Sequence, residues 1–190
     1  MARPGEEKMR ELSLHILDIA RNSIEAGATA LHVAIVEHQD TDALELIVRD
    51  NGRGMDEAIA THAADPFFTT RETRKVGLGL SLLKATCERC GGTLDIQSRP
   101  GEGTEVRGTM RLTHLDRPPL GDMGKVVQAL ACEAERTSLR YRHQTNGKRF
   151  EIDTRDLQKE LGNVPVTDPR VLCWLAEFVR NGILSTGSKA

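Results

Sequence analysis

Two runs of alternating apolar and polar residues, LHVAIVEH at 31–38 and ALELIVRD at 43–50, are separated only by the polar QDTD. This arrangement predicts an antiparallel hairpin with one face buried and one face wet. Something must cover the buried face. The preceding segment, MRELSLHILDIARNSIEA at 9–26, places Leu12, Ile16, Ile19 and Ile24 near a 3.6-residue period and stops at Gly27, so it predicts a helix. A short helical stretch follows DNGRGM, and then comes ADPFFTTRETRK, whose charge and lack of period predict an exposed loop. LGLSLLKATCERC at 78–90 predicts a second main helix closed by Gly91, and TLDIQS and TEVRGTMRL predict a second hairpin around RPGEG. The expected fold is α+β, a two-layer sandwich in which helices cover one face of a mixed, largely antiparallel sheet.

The punctuated segment THLDRPPLGDMG marks an expected boundary, with a main domain over 1–114 and a small α/β module over 115–190. In the module, Met123, Val126, Val127, Leu130 and Ala134 share a helical face, and a hairpin turns at Asn146-Gly147 with Tyr141 and Phe150 inward and its arginines outward. Asp168 and Pro169 open a last helix expected to bury Val171, Leu175 and Phe178, to hold Trp174 in the core, and to stop near Gly182.

Aromatics make up only 3% of the 190 residues, so the core is aliphatic. No apolar stretch approaches the roughly 18 residues of a membrane span, and the N-terminus lacks a secretory apolar region, so a cytoplasmic protein without a membrane partner is expected. A net charge of 26 − 28 = −2 gives no footprint for general nucleic-acid binding. Cys87 and Cys90 form a C-x-x-C without a second ligand pair, which fits reduced thiols better than zinc or redox chemistry.

Three segments carry candidate chemistry. On the first helix Glu11, His15, Asp18, Asn22 and Glu25 advance by three or four residues along one stripe. Alone, the stripe reads as a solvated polar face; functionally, Asp18 would orient an attacking group and the Asn22 amide oxygen would ligate a hard cation. Asp50-Asn51-Gly52-Arg53-Gly54-Met55 follows a strand, where a carboxylate suits an exocyclic amine and glycines allow close backbone approach, although D-N-G is also a common turn. Gly77-Leu78-Gly79-Leu80 opens a helix whose free N–H groups would face an anion.

Taken in order, these segments resemble the GHKL ATPase superfamily, the Bergerat-fold group of histidine kinases, gyrase B subunits, mismatch-repair ATPases and a heat-shock chaperone. DIARNSIEAGAT is similar to the N box, DNGRGMD to the G1 box, DPFFTTR to the F box, and GLGLSLLKATCERCGGTLDIQSRPGEGTEV to the G2 box and its strands. The resemblance covers residues 9–112. It implies ATP bound with Mg2+ on Asn22, adenine read by Asp50, a base pocket lined by Gly52, Gly54 and Met55, phosphates cradled by Gly77, Leu78, Gly79 and Leu80, and Thr104 supporting Asp50. It further implies a lid over residues 65–76 from which Arg71, Arg74 or Lys75 reaches the phosphates, and Asp18 as the catalytic acid-base residue.

This sequence departs from the family pattern twice. Asp18 stands where hydrolytic members have Glu, one methylene longer, and Lys75-Val76 replaces flexible residues before G-L-G-L. None of the six histidines is followed by Asp or Glu, as the acceptor of such kinases usually is, and His15 is expected to be a hydrogen-bonded neighbour of Asp18. The implied function is transfer of the ATP γ-phosphoryl group to a regulatory protein partner by a stand-alone kinase, as in the anti-sigma kinases. The alternative is an ATP- or ADP-gated switch with little turnover. Whether the chain forms a homodimer is left open.

Overall fold

The computed structural model describes residues 11–65, 79–133 and 136–190. Its elements run α1 (Leu12–Glu25), β1 (Ala30–His38), β2 (Ala43–Asp50), α2 (Glu57–His62), α3 (Gly79–Arg89), β3 (Leu94–Arg99) and β4 (Gly103–Arg111). They continue with α4 (Met123–Glu133), β5 (Ser138–Thr145), β6 (Lys148–Asp153), α5 (Thr154–Leu161) and α6 (Pro169–Thr186). One six-stranded sheet has the order β3-β4-β2-β1-β5-β6. Only β1 and β5 pair in parallel. The sheet is therefore mixed and largely antiparallel, as the alternation predicted.

Pairing of Val33 with Val48 and of Ile35 with Leu46 puts the apolar set of both strands on one face, where it joins Ile16 and Ile19 of α1, Leu83 of α3 and Leu130 of α4 in a single core. The opposite face carries charge. Arg107 bonds Glu45 at 2.6 Å and Arg140 bonds Asp153 at 3.0 Å across neighbouring strands, and such exposed pairs contribute little stability individually.

Residues 115–190, expected to form a smaller module, carry α4, β5, β6, α5 and α6, and their hairpin extends the same sheet through the parallel β1–β5 pairing. The turn at Asn146 (φ 46°) and Gly147 (φ 85°) has two consecutive positive φ angles, the requirement of a tight two-residue hairpin. Tyr141 faces the core, fully buried, and Arg140 faces solvent.

The last helix departs from expectation. It continues through Gly182 to Thr186 and is closed instead by Gly187 at φ 77°. Gly182 is a notch: a Cβ there would lie 2.2 Å from the Phe150 ring. The buried stripe is Leu172, Leu175, Ala176 and Val179, while Phe178 is 40% exposed and Trp174 46% exposed, their rings stacked 4.8 Å apart. Helix α5 carries too few apolar residues to announce itself by period. It starts where the Asp153 carboxylate accepts the Arg155 amide.

The buried end of β1 holds a polar network. His143 Nε2 donates to Glu37 Oε1 at 2.8 Å, which leaves Nδ1 to accept from the Tyr141 hydroxyl at 3.0 Å. Ser188 Oγ and the Lys189 amide also donate to the Glu37 carboxylate, at 2.5 and 2.8 Å. Burial pushes the Glu37 carboxyl up, but these donors outweigh it and hold the group at about 2. A depressed carboxyl contributes stability above its unfolded value that is lost as pH falls through the folded one. Wild-type stability is thus expected to fall between about pH 4.5 and about pH 2. Glu37→Gln should cost roughly 3 kcal/mol at pH 7 and flatten that dependence, read as urea midpoints across pH. An unchanged acid profile would remove Glu37 as its source.

Candidate functional site

Strand β2 ends at Asp50, which it delivers into the gap between α1 and the β3–β4 hairpin. The carboxylate is 9% exposed and fully engaged on its inner side. Ser23 Oγ donates to Oδ2 at 2.6 Å, and the amides of Gly52 and Thr104 donate to Oδ1 at 2.8 and 3.3 Å. A buried carboxylate with several donors remains an acceptor, so any further group that it binds must donate to it.

Two glycines let the surrounding loops close. Gly54, at φ 65°, would place a Cβ 1.9 Å from the Arg99 carbonyl oxygen, and Gly103, at φ 99°, would place one 2.0 Å from that of Asp50. Only Gly permits either approach. Beneath them the Met55 amide donates to Ser98 Oγ at 2.8 Å, and Ser98 and Thr104 share a hydroxyl contact of 2.8 Å. Asn51 turns away: its Oδ1 accepts the amides of Thr29 and Ala30 at 2.9 and 2.8 Å, and its Nδ2 donates to the Thr29 hydroxyl at 2.9 Å.

These elements enclose a cavity of about 470 Å³ lined by Asn22, Asp50, Gly54, Met55, Leu80 and Thr104 together with the apolar Ile19, Ile59 and Val106. Six of the residues expected from sequence thus meet around one space. Gly52 lies under Asp50, its Cβ direction 3.1 Å from Asp50 Oδ1 and from Ala26. Gly79, which begins α3, packs on Asp18, with a Cβ there 3.2 Å from the Asp18 Cβ. Asp18 is exposed beside that helix end and does not line the cavity. Lys75, Gly77 and Leu78 lie outside the described residues, as do Arg71 and Arg74. Among the described lining residues Glu25, Asp50 and Asp56 supply carboxylates and Arg53 the one cation.

The polar stripe of α1 is solvated only in part: Asp18 and Glu25 are exposed, whereas His15 is buried. His15 is 1% exposed, and neither ring nitrogen makes a hydrogen bond of normal geometry with a described residue. Burial holds its imidazole below the usual range, opposed in part by the Gly79 backbone and the Asp18 charge. The expected hydrogen bond to Asp18 is replaced by packing under the start of α3.

Sequence reasoning missed Ser23 and Ser98. Ser23 continues the buried series Leu12, Ile16 and Ile19, and a hydroxyl on an apolar stripe signals a buried partner. Ser98 extends the inward series Leu94 and Ile96 in the same way. Removing the Ser23 hydroxyl leaves a buried carboxylate short of a donor, so Ser23→Ala should lower unfolding free energy by about 1.5–3 kcal/mol in urea titration. A loss under about 0.5 kcal/mol, the range of ordinary surface substitutions, would show that this bond does not hold the site.

The family model described as "Histidine kinase-, DNA gyrase B-, and HSP90-like ATPase" matches residues 7–114. The C4-dicarboxylate transport sensor protein DctB of Pseudomonas aeruginosa is 33% identical over 104 residues, covering 54% of this chain and 17% of that protein. Sensor protein kinase FleS of the same organism is 40% identical over 89 residues, 47% of this chain and 22% of its own length. Sporulation kinase A of Bacillus subtilis is 28% identical over 97 residues, 51% of this chain and 16% of that one. The chain thus matches less than a quarter of the length of each of these relatives. A crystal structure of the N-terminal domain of a DNA repair protein superposes with a TM-score of 0.51 at 17% identity, covering 77% of this chain and 53% of that one.

Proposed function

The chain belongs to the histidine kinase-, DNA gyrase B- and HSP90-like ATPase family, and from that membership we propose that it binds ATP in the cavity beside Asp50 and transfers the γ-phosphoryl group to a regulatory protein partner. The observation that carries the reading is the convergence of Asn22, Asp50, Met55, Leu80 and Thr104 on one space of about 470 Å³, a size suited to a nucleotide. Asp50, saturated with donors on its inner side, offers its remaining lone pairs to the adenine amine. Met55, Ile59 and Val106 give the base apolar walls. The start of α3 at Gly79 and Leu80 would turn its N–H groups to the phosphates, and the family resemblance adds Gly77 and Leu78 to that cradle.

The donor set fits magnesium. Among the described residues no group of three His, Cys, Asp or Glu side chains forms a metal cluster. A neutral amide such as Asn22 suits an ion that draws most of its oxygen ligands from phosphates and water. Magnesium would neutralise charge on the phosphates, which matters in a cavity whose described lining has three carboxylates and one guanidinium. By the family resemblance Lys75 would add a second positive charge. Asp18, beside Gly79, receives the proton of the acceptor hydroxyl as its oxygen bonds the γ-phosphorus and the bond to the β-phosphate oxygen breaks.

A second reading is favoured by one observation. Asp18 lies outside the cavity lining and has a shorter reach than Glu, which supports a switch that binds nucleotide and recruits or releases its partner without turnover. Both readings require nucleotide binding. Magnesium ATP at about 100-fold excess over its dissociation constant should stabilise the protein by about 2.7 kcal/mol, seen as a rise in Tm. Asp50→Asn keeps the side chain's shape but replaces an acceptor oxygen with a donor, and it should abolish that rise. An equal rise in the variant would overturn the assignment of Asp50. Radiolabel from γ-labelled ATP on a co-purified partner, lost in Asn22→Ala, supports the kinase; binding without transfer selects the switch.

A further inference from the structure

A second cavity, of about 700 Å³, opens where the end of α4, the start of β5, the first turn of α5 and the loop before α6 meet. Its lining includes two arginines, Arg136 and Arg155, with the hydroxyl residues Thr29, Ser138 and Thr167, and it includes no carboxylate among the described residues. The neighbouring acids are engaged elsewhere. Asp153 pairs with Arg140, Asp156 with Lys159, and Glu133 with Arg21. Neither Arg136 nor Arg155 forms a salt bridge or side-chain hydrogen bond with any described residue.

Two guanidinium groups with no described carboxylate within salt-bridge distance share this concave site, although the Asp156 charge acts on Arg155 at longer range. Most of the chain's other described arginines pair with a carboxylate. The α5 N-terminus is not the attraction, because its first free amide is taken by the Asp153 side chain. Nor is Gln158, whose amide group is spent on Gly162, Val164 and Val166. The pocket offers two planar cationic forks and the hydroxyls of Thr29 and Thr167, a donor set that fits the oxygens of a phosphate, while Ser138 spends its hydroxyl proton on the Thr29 carbonyl.

We propose that this cavity binds a small phosphate-bearing molecule between Arg136 and Arg155 and acts as an effector site. Its wall is joined to the first cavity. The Thr29 carbonyl accepts the Ser138 amide at 3.0 Å and the Ser138 hydroxyl at 3.2 Å, while the Thr29 amide and hydroxyl are bonded to Asn51, the residue after Asp50. A ligand that tightens Thr29 and Ser138 therefore acts on the backbone that presents Asp50, and the coupling is reciprocal. The coupling rests on the nucleotide reading given above; binding at the second cavity does not.

The test uses backbone-amide NMR on the full chain with inorganic pyrophosphate as probe, without magnesium and at constant ionic strength set with chloride. Saturable shifts are expected at Ser138, Arg155 and Thr167, with the dissociation constant raised about tenfold in Arg136→Gln and in Arg155→Gln. Both side chains are exposed and lack described partners, so neither change threatens the fold. Shifts confined to residues 50–55 and 79–80, or shifts unaffected by either substitution, would overturn the site. Pyrophosphate binding that leaves ATP affinity unchanged would overturn the coupling and keep the site. If ATP does not bind at all but the pyrophosphate shifts persist, the nucleotide reading fails and this one stands.

Discussion

Burying a carboxylate at the end of a central strand is unfavourable unless the protein supplies the donors that water would have given. Asp50 meets that requirement with a hydroxyl from α1, an amide from its own loop and an amide from β4. Each donor comes from a different part of the chain, so the bonds form only when helix, loop and hairpin are all in register. The cavity beside Asp50 follows from that meeting. Its floor is held by hydrogen bonds to one charge, and its walls by two glycine contacts that no other residue could make.

The same logic governs the far end of β1, where Glu37 is buried at 1% exposure and answered by His143, Ser188 and Lys189. Between these two charges runs an uninterrupted apolar strip, Leu31, Val33 and Ile35, flanked by Leu46 and Val48 on one side and Leu139 and Tyr141 on the other. The β1–β2 pair thus holds a buried carboxylate at each end, Glu37 on β1 and Asp50 on β2, and is filled in the middle by aliphatic side chains. A slip of β1 by one residue would turn Glu37 and the strip to the wrong face.

The strands before residue 112 and the helices over them were legible because their periods were clean and their turns carried Gly at the required positions. The convergence of Asn22, Asp50 and Leu80 was legible through motif order. What escaped was set by tertiary context. Gly182 reads as a helix stop, and becomes an interior notch only because Phe150 of another element occupies the space beside it. Trp174 and Phe178 read as core residues, yet the helix is turned so that Leu172, Leu175 and Val179 fill that place. Helix α5 has only Leu157 and Leu161 to mark a face. Ser23 and Ser98 pass as ordinary polar residues until the carboxylate or hydroxyl facing them is known.

Helix α1 shows how one short segment can serve several ends. Successive helical residues point about 100° apart, so three in a row face three directions. Arg21 reaches across to Glu133 of α4 with bonds of 2.9 and 2.5 Å, Asn22 faces the cavity, and Ser23 faces Asp50. Two residues earlier, Ile19 lines the same cavity from the core side. A rotation of α1 by a fraction of a turn would disturb the α4 contact, the cavity wall and the Asp50 bond together. The helix therefore moves as a unit or not at all. Any ligand whose binding depends on the position of Asn22 must also act on α4, whose C-terminal end helps to wall the second cavity.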